Sequence, residues 1–588
     1  MKHLEGINKL ILLAPLLYII AFFAYPLTYM MLSRADPVKS VFYALTGPGF
    51  IKLPPEGALV QVLNDHGLAL IVRGVDAGPL LNSLALALIS STVSTLLGTS
   101  YALLVFMFKV PRVLKAIPLL GLIPMPFIQA LVVERLFNLD FGLINFILNE
   151  VFRLGVKVCV KGLAGVLLYH ILTLFPIAYL IAYAFMRSIP SNLIEAAHGL
   201  GGREWYVART VVLPLSRPAI YASLSLLFVL SLDDLSGPIV FQDDPTARNV
   251  LAYQAYMHFV EQVTGTISVR ALGYVIILMA ISIVAFLLAL KHISAVYRSL
   301  GAGTVAYWRP KRGLSLGAAS MLALLAIIAA LASLPTLLGI TYAFSNSWVS
   351  SPLPELGPGS AVEALTSAAR VRAVLNTLAY TLASTAITFV VAFLGAYYTV
   401  RVKGGLTRVL DLLLSLPVSV PGIVLAFSYL LTFKDLLHGL PIDPLKAPWL
   451  YVVISYSVRR MPYTYKIAQA ALSSIPKDFE EAAINLGARQ LRVAFTIGAP
   501  LIAQALILGL WMSATYSSTE VSTSITIGSL GGAQGLGHPA PVTYLVLLDM
   551  SYSGLKYGGA AAFALLLVLL FNVGLLLALR RVTTKWGA

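Results

Sequence analysis

Glu195-Ala196-Ala197-His198-Gly199-Leu200-Gly201 and Glu481-Ala482-Ala483-Ile484-Asn485-Leu486-Gly487 stand 286 residues apart in one chain of 588. Each follows an Ile-Pro pair, Ile189-Pro190 or Ile475-Pro476, and each precedes a proline nineteen residues beyond its glutamate, Pro214 or Pro500. At the same offset, residues 175–215 and 461–501 share 19 identities in 41 positions. Self-similarity on that scale marks an internal duplication. Proline suits a helix start because its missing N–H is lost to the ladder there anyway. Glycine suits the stop because it adopts the left-handed conformation freely. The stretch therefore predicts a short amphipathic helix over 191–200, ended at Gly201 and presented twice.

The surrounding sequence predicts a membrane. The chain is 59% hydrophobic and 11% charged, with mean hydropathy +0.86, whereas soluble domains are about half apolar and about a quarter charged. Soluble enzymes, secreted disulfide scaffolds and disordered tails are excluded. The lone Cys159 excludes an internal disulfide and a cysteine zinc site. Apolar windows fall near 10–32, 80–108, 115–137, 163–186, 216–241, 271–297, 314–342, 374–400, 408–433, 448–471, 502–528 and 557–580. The first follows Lys2, His3 and Lys9 and is too long for a signal-peptide core, so it reads as a retained helix. With the N-terminus inside, 26 of the 41 Lys and Arg fall on the cytoplasmic side, against 7 of the 25 Asp and Glu. The net charge of +16 is thus topological, and no nucleic-acid partner is expected.

The expected fold class is an all-α polytopic membrane protein with twelve transmembrane helices in two parallel six-helix repeats. The halves are residues 1–300 and 301–588, related by an axis along the membrane normal. Both termini lie in the cytoplasm of a cell (plasma or inner) membrane, and the duplicated loops 187–217 and 473–501 project from the inner face. In the outer loop 33–78, apolar runs at 59–63 and 68–72 flank Asn64-Asp65-His66-Gly67 and predict a small external β-hairpin. Phe141-Gly142-Leu143-Ile144-Asn145 opens a short interfacial helix.

The pattern Glu-Ala-Ala-x3-Gly-x9-Ile-x-Leu-Pro, with Val211 and Ala499 as mild departures, resembles the EAA loop of ATP-binding-cassette importer permeases of the type I fold. Asn82-Ser83-Leu84 and Asn376-Thr377-Leu378, with Pro124/Pro126 and Pro417/Pro421, extend the resemblance over most of the chain. The fused arrangement is similar to that of ferric-iron and thiamine permeases. The resemblance implies that Glu195, Ala196, Ala197, Gly201, Arg203 and Pro214, with Glu481, Ala482, Ala483, Gly487, Arg489 and Pro500, couple the chain to two cytoplasmic ABC ATPase subunits. The glutamates would pair with a basic residue of the ATPase and the glycines make the turn. Arg203 and Arg489 would serve the same interface or anchor to membrane lipid. An extracytoplasmic substrate-binding protein is the other implied partner, with the loop 33–78 as its dock. No Gly-x4-Gly-Lys-Ser/Thr sequence occurs. The chain is thus expected to be no enzyme and to hold no cofactor, with ATP and its Mg bound by the partner ATPase.

Charges inside spans are rare and usually functional. Asp234 and Glu520 are also 286 residues apart. They resemble the acid of the Asp/Glu-Phe-Gly-x-Pro segment in iron, polyamine and sulfate permeases, with Leu235 and Val521 in place of Phe. Two readings stay open: an acidic constriction for a cation, or carboxylates capping backbone at the outer boundary. The candidate pathway comprises Asn82, Pro126, Asp234 and Ser236, then Asn376, Pro421, Ser518, Glu520 and Ser522. His170 reads as a hydrogen-bonded packing residue, and no metal-ligand cluster is expected. Ferric iron leads the substrate classes, followed by thiamine, polyamine or an oxyanion. A secondary transporter of the major facilitator type is the alternative; the loops after the second spans lack its Gly-x3-Asp-Arg motif.

Overall fold

Ser90, Ser91, Ser94, Thr95, Gly98 and Thr99 are buried along the Pro79–Met107 helix, which packs against the Gly162–Met186 helix. Lipid gives helices no hydrophobic reason to associate, so small residues that let backbones close up supply the contact. A Cβ on Gly98 would stand 2.6 Å from both Ala178 Cβ and Tyr179 N. Ser94 Oγ donates to the Ile171 carbonyl at 3.3 Å, and Ser90 Oγ meets Ser231 Oγ on the Arg217–Asp233 helix at 3.0 Å. The second half repeats the device with buried Thr377, Thr381, Ser384 and Thr388 on the Ala368–Arg401 helix. Its partners are the Pro448–Ser473 and Ala503–Ser518 helices.

The computed structural model describes residues 13–32, 36–47, 49–63, 68–260, 269–301, 315–402, 404–530, 540–552 and 555–586. Lys2, His3 and Lys9, and the expected turn Asn64-Asp65-His66-Gly67, lie outside them. Among the described residues the protein is mostly helical. Seven helices are long and apolar enough to cross a membrane, and three pairs qualify jointly, bent at their breaks by 62°, 107° and 85°. The remaining two apolar windows differ for visible reasons. Residues 115–137 divide into Arg112–Leu120 and Pro126–Leu136, because Pro124 and Pro126 push the residues before them out of the helical region. Pro448–Ser473 is one unbroken helix, but Arg459, Arg460 and Lys466 make it too polar to qualify by composition. Arg459 and Lys466 are buried against neighbouring helices.

Two compact units emerge, and they interleave along the chain. One joins Met1–Lys39 to Glu363–Tyr552 and Phe563–Ala588; the other joins Ser40–Val362 to Ser553–Ala562. The opening helix of each repeat therefore belongs to the unit built round the other repeat's core. In the first unit Tyr429 OH donates to the Phe22 carbonyl at 2.6 Å, and Tyr29 OH to Asp435 Oδ2 at 3.2 Å. In the second, Gln129 Nε2 donates to Thr336 Oγ1 and Ser333 Oγ to the Ile117 carbonyl, both at 2.8 Å.

Strands β1 (Val60–Leu63) and β2 (Leu68–Val72) pair antiparallel, with Val60 opposite Val72. A third strand, β3 (Val156–Val160), which the sequence pattern did not reveal, lies parallel to β2 and buries Cys159. Beside this sheet Lys52 Nζ reaches Asp76 Oδ2 at 2.7 Å and Glu56 Oε2 at 2.6 Å. Asp76 also accepts from Gly78 N, Asn82 Nδ2 and Asn249 Nδ2 at 3.0, 3.0 and 2.7 Å. Burial alone raises the Asp76 carboxyl, but these donors, Lys52 first, hold it below its ordinary value. Lys52 in turn is raised by its bonds to Asp76 and Glu56.

Two expectations follow from this packing. Gly98→Ile, which forces the two helices apart, lowers stability by about 1–3 kcal/mol or more, read as a depressed thermal midpoint of the detergent-solubilised chain. The second concerns pH. A lowered carboxyl stabilises above its unfolded value and stops doing so as acid protonates it; a raised ammonium stabilises until alkali removes its proton. Both contributions are complete at neutral pH. Asp76→Asn therefore speeds amide exchange at Ala77 and Gly78 at pH 7. The difference from the parent should vanish at pH values well below the ordinary carboxylate range, and its persistence there contradicts the assignment.

Candidate functional site

The two Glu-Ala-Ala segments form elbows with the same hydrogen-bond plan. Pro190 precedes the Ser191–Gly199 helix, and Asp478–Asn485 is its counterpart. At the end of the first, Leu200 N, Gly201 N and Gly202 N donate to the carbonyls of Ala196, His198 and Ala197 at 3.0, 2.9 and 3.0 Å. In the second, Leu486 N, Gly487 N and Ala488 N donate to Ala482, Ile484 and Ala483 at 3.2, 2.9 and 3.1 Å. Gly201 and Gly487 have φ of +86° and +88°, the left-handed turn that closes a helix end and disfavours any side chain. Beyond each turn a π-helical stretch, Ala208–Val212 or Ala494–Gly498, leads to Pro214 or Pro500.

Glu195, Ala196, Glu481 and Ala482 are exposed, as are Arg203 and Arg489, while Ala197 and Ala483 are half-buried. Leu200 and Leu486, which the sequence reading did not single out, are each 90% exposed at the tip of their elbow. An apolar side chain held in the open beside a carboxylate and a bare glycine turn is a surface suited to a partner.

What holds each elbow to its own bundle differs. Ile194, immediately before Glu195, is fully buried. Its counterpart is Glu480, also buried, which receives Arg401 Nη2 at 2.7 Å, Arg401 Nε at 3.0 Å and Tyr397 OH at 2.9 Å. Arg401 Nη1 further donates to the Ile475 carbonyl at 3.3 Å. The doubled acid Glu480-Glu481 carried this signal: one of the two carboxylates anchors and the other faces out.

Of the candidate pathway residues, Asp234 and Glu520 each accept backbone N–H groups. Asp234 Oδ1 accepts from Ser236 Oγ and N at 2.5 and 3.3 Å, and Oδ2 accepts from Gly237 N at 2.8 Å. His170 Nε2 lies 3.0 Å from the same Oδ2, and its Nδ1 lies 2.8 Å from Ser231 Oγ. In its own unit Glu520 accepts from Thr523 N and Ser524 N at 2.9 and 3.3 Å and pairs with Arg459. Each acid thus caps the short helix after a broken span, Ser236–Val240 or Ser522–Thr526, and takes a basic partner from the preceding long helix. Gly422, right after Pro421, packs on the Arg459–Glu520 pair with no room for a Cβ. Ser518 Oγ accepts from Asn572 Nδ2 at 2.9 Å.

Asn82 and Asn376 form matching clamps. Asn82 Nδ2 donates to the Asn249 carbonyl at 2.9 Å while Ser83 Oγ accepts from Leu251 N at 2.8 Å. Asn376 Nδ2 donates to the Ala540 carbonyl at 3.3 Å while Thr377 Oγ1 accepts from Val542 N at 2.8 Å. Pro126 starts its half-helix, with Gln129 Oε1 accepting from the freed Met125 N at 3.4 Å.

Duplicated bundles with broken spans and twin exposed elbows define a permease of the ATP-binding-cassette importer class. The family described as "Binding-protein-dependent transport system inner membrane component" matches residues 103–295 and again 389–586. The chain belongs to that family, whose members are transport permeases of the inner membrane and not enzymes. The family works with ATPase and substrate-binding partners, and nothing in the match supports the major facilitator alternative. The ferric transport system permease protein FbpB of Actinobacillus pleuropneumoniae is 25% identical over 537 residues, covering 89% of this chain and 72% of that protein. The spermidine/putrescine transport system permease protein PotC of Escherichia coli (strain K12) is 26% identical over 154 residues, 26% of this chain and 53% of that one. A solved bacterial ABC transporter involved in importing the acidic polysaccharide alginate aligns with TM-score 0.34 and 19% identity, over 42% of this chain and 88% of that one.

The asymmetric anchors can be tested. Glu480→Ala leaves Arg401 buried without its carboxylate and costs about 3–5 kcal/mol, with faster proteolysis at the second elbow than at the first. The double change Glu480→Ile with Arg401→Met imitates the apolar first copy and restores most of the loss. Additive loss in the double variant refutes the pairing.

Proposed function

We propose that the chain forms the alternating-access pathway of a ferric-iron importer and transmits work from two cytoplasmic ATPases through its two elbows. The carrying observation is that both elbows offer the same exposed Glu, Leu and left-handed Gly at equivalent positions. One elbow alone could be a cover for its bundle; a matched pair suits a paired motor. ATP and Mg belong to the ATPases on this reading. Their closure on ATP draws the elbows together, and the two halves rock between inward- and outward-open states. The coupling requires ATP binding to favour one of those states by differential contact.

The topology proposed with this function has twelve spans, six in each of 1–300 and 301–588, and both termini in the cytoplasm. Two of the twelve are the divided helix at 112–136 and the polar helix Pro448–Ser473. Exposed Glu195 and Glu481 pair with basic residues of the ATPases, and Leu200 and Leu486 fill apolar recesses beside them. Arg203 and Arg489 flank the same contact, while Pro214 and Pro500 fix where the elbow rejoins its bundle. On the outer face, the sheet and its Lys52–Asp76 support offer the dock for a substrate-binding protein.

Iron as the cargo is supported by the likeness to ferric permeases over most of the chain. The acids Asp234 and Glu520 act here as caps that hold the broken spans in shape, so selection rests with the binding protein that delivers the ion. Thiamine, polyamine and oxyanion remain behind iron on this ordering.

Glu195→Lys with Glu481→Lys reverses the charge of both exposed carboxylates without touching the buried anchors. The double variant should keep its thermal midpoint and lose ATP-dependent uptake of ferric iron by at least tenfold in vesicles carrying the ATPase and binding protein. Parent-level uptake in that variant removes the coupling assignment. Uptake of another substrate class in place of iron removes only the cargo.

A further inference from the structure

Just beyond the Pro79–Met107 helix, the Arg112–Leu120 helix lies beside the Gly162–Met186 helix and leaves a groove of about 280 Å³. Its surface is almost wholly apolar, from Ala116, Leu180 and the stems of Arg112 and Lys115, whose charged ends belong to its rim, and among the described residues no carboxylate lines it. Tyr179 and Tyr183 stack along it with ring centroids 5.7 Å apart, and Tyr179 OH donates to the Lys115 carbonyl at 3.0 Å. The groove sits at the membrane end that carries the first elbow, since Phe108 meets Trp205 there at 5.8 Å between rings.

The duplication supplies a comparison within one molecule. At the offset of 286 residues, Tyr179, Leu180 and Tyr183 become Tyr465, Lys466 and Gln469. There Tyr465 OH, Lys466 Nζ and Gln469 Nε2 converge on Asp411 Oδ1 at 2.6, 2.7 and 3.0 Å. Asp411 belongs to Gly405–Ser415, the short helix that follows the second half's long span as Arg112–Leu120 follows the first's. The second copy thus supplies its own anion to these side chains. The first copy keeps two cations and an apolar cleft, and among the described residues has no acid lining it.

We propose that the first cleft binds one phospholipid with an anionic headgroup, its phosphate held by Arg112 and Lys115 and an acyl chain laid along Ala116 and Leu180. Charge complementarity argues for the anion. The open apolar wall, with Leu180 43% exposed where a long apolar span ends, argues for a lipid over a soluble anion. Basic clefts between helices at the cytoplasmic boundary recognise anionic headgroups in this way. The inference goes beyond the transport reading and needs neither the ATPase nor the cargo to be correct.

Native mass spectrometry of the full chain in detergent, titrated with phosphatidylglycerol or phosphatidylcholine, tests it. The parent should retain one phosphatidylglycerol with a preference of at least tenfold, roughly fivefold coming from each cation. Arg112→Gln with Lys115→Gln should bring the two lipids to parity. Ala116→Phe, which keeps both cations and fills the groove, should expel the lipid. Each variant is compared at an unchanged thermal midpoint, and Arg112→Gln alone serves if the double variant does not fold. Parity in the parent overturns the proposal. So does full retention by Ala116→Phe, which signifies surface attraction only, or displacement by glycerol phosphate, which signifies a soluble-anion site.

Discussion

Every break in a membrane helix frees backbone groups that lipid cannot satisfy, and the fold depends on acceptors placed at those breaks. Hydrocarbon offers no hydrogen bonds, so an uncapped N–H there costs several kcal/mol. Asp234 and Glu520 meet this requirement after the helices Arg217–Asp233 and Ala503–Ser518, taking two backbone N–H groups apiece. Gln129 meets it behind Pro126, and Ser83 and Thr377 meet it at Leu251 N and Val542 N farther along the chain. A permease needs broken helices because they leave irregular backbone to line a path. These acids, which the sequence leaves open as a cation constriction or as backbone caps, make such breaks affordable in an apolar surrounding. Asp234 is further held by a hydrogen bond with His170, and the Glu520 charge is paired locally with Arg459.

The two repeats solve equivalent problems with unlike chemistry. The elbow anchor is an isoleucine in one copy and a buried ion pair in the other, and Tyr179, Leu180 and Tyr183 border an apolar groove where Tyr465, Lys466 and Gln469 converge on Asp411. Each acid before a short capped helix found a basic partner on the long helix, but His170 and Arg459 are not equivalent positions; they differ by about one turn. Duplication thus preserved the backbone plan and the exposed faces of the elbows while the buried polar contacts drifted. Buried ionic groups tolerate such replacement by apolar ones when both partners change together.

Those facts explain what the sequence made legible. The repeat, the elbows and their turn glycines were readable because backbone geometry restricts the residue type: only glycine sits easily at φ near +87°, and proline marks a helix start. The long apolar runs were readable because a span needs a length, not a partner. By contrast, Glu480 with Arg401 is a contact over 79 positions, and nothing local distinguishes the anchoring carboxylate from its exposed neighbour. Strand β3 lies 84 residues beyond β2 in sequence, with no turn between them to announce a pairing. The helix at 448–473 carries charges that lower its apparent hydropathy, though Arg459 and Lys466 are neutralised by neighbours. Asn82 and Asn376 were noticed as a motif, but their task as clamps appears only with their carbonyl partners in place.

The exchange of opening helices between the compact units has a consequence for how the chain is made. Leu13–Leu32 is synthesised early, yet the surfaces it packs on, including Tyr429 and Asp435, emerge from the ribosome some four hundred residues later. The unit built on the first repeat is likewise incomplete until Leu316–Ala343 is threaded in. Each repeat thus depends on a segment of the other for a complete packing surface, and the two cannot be cut apart between residues 300 and 301 without leaving an opening helix on the wrong fragment.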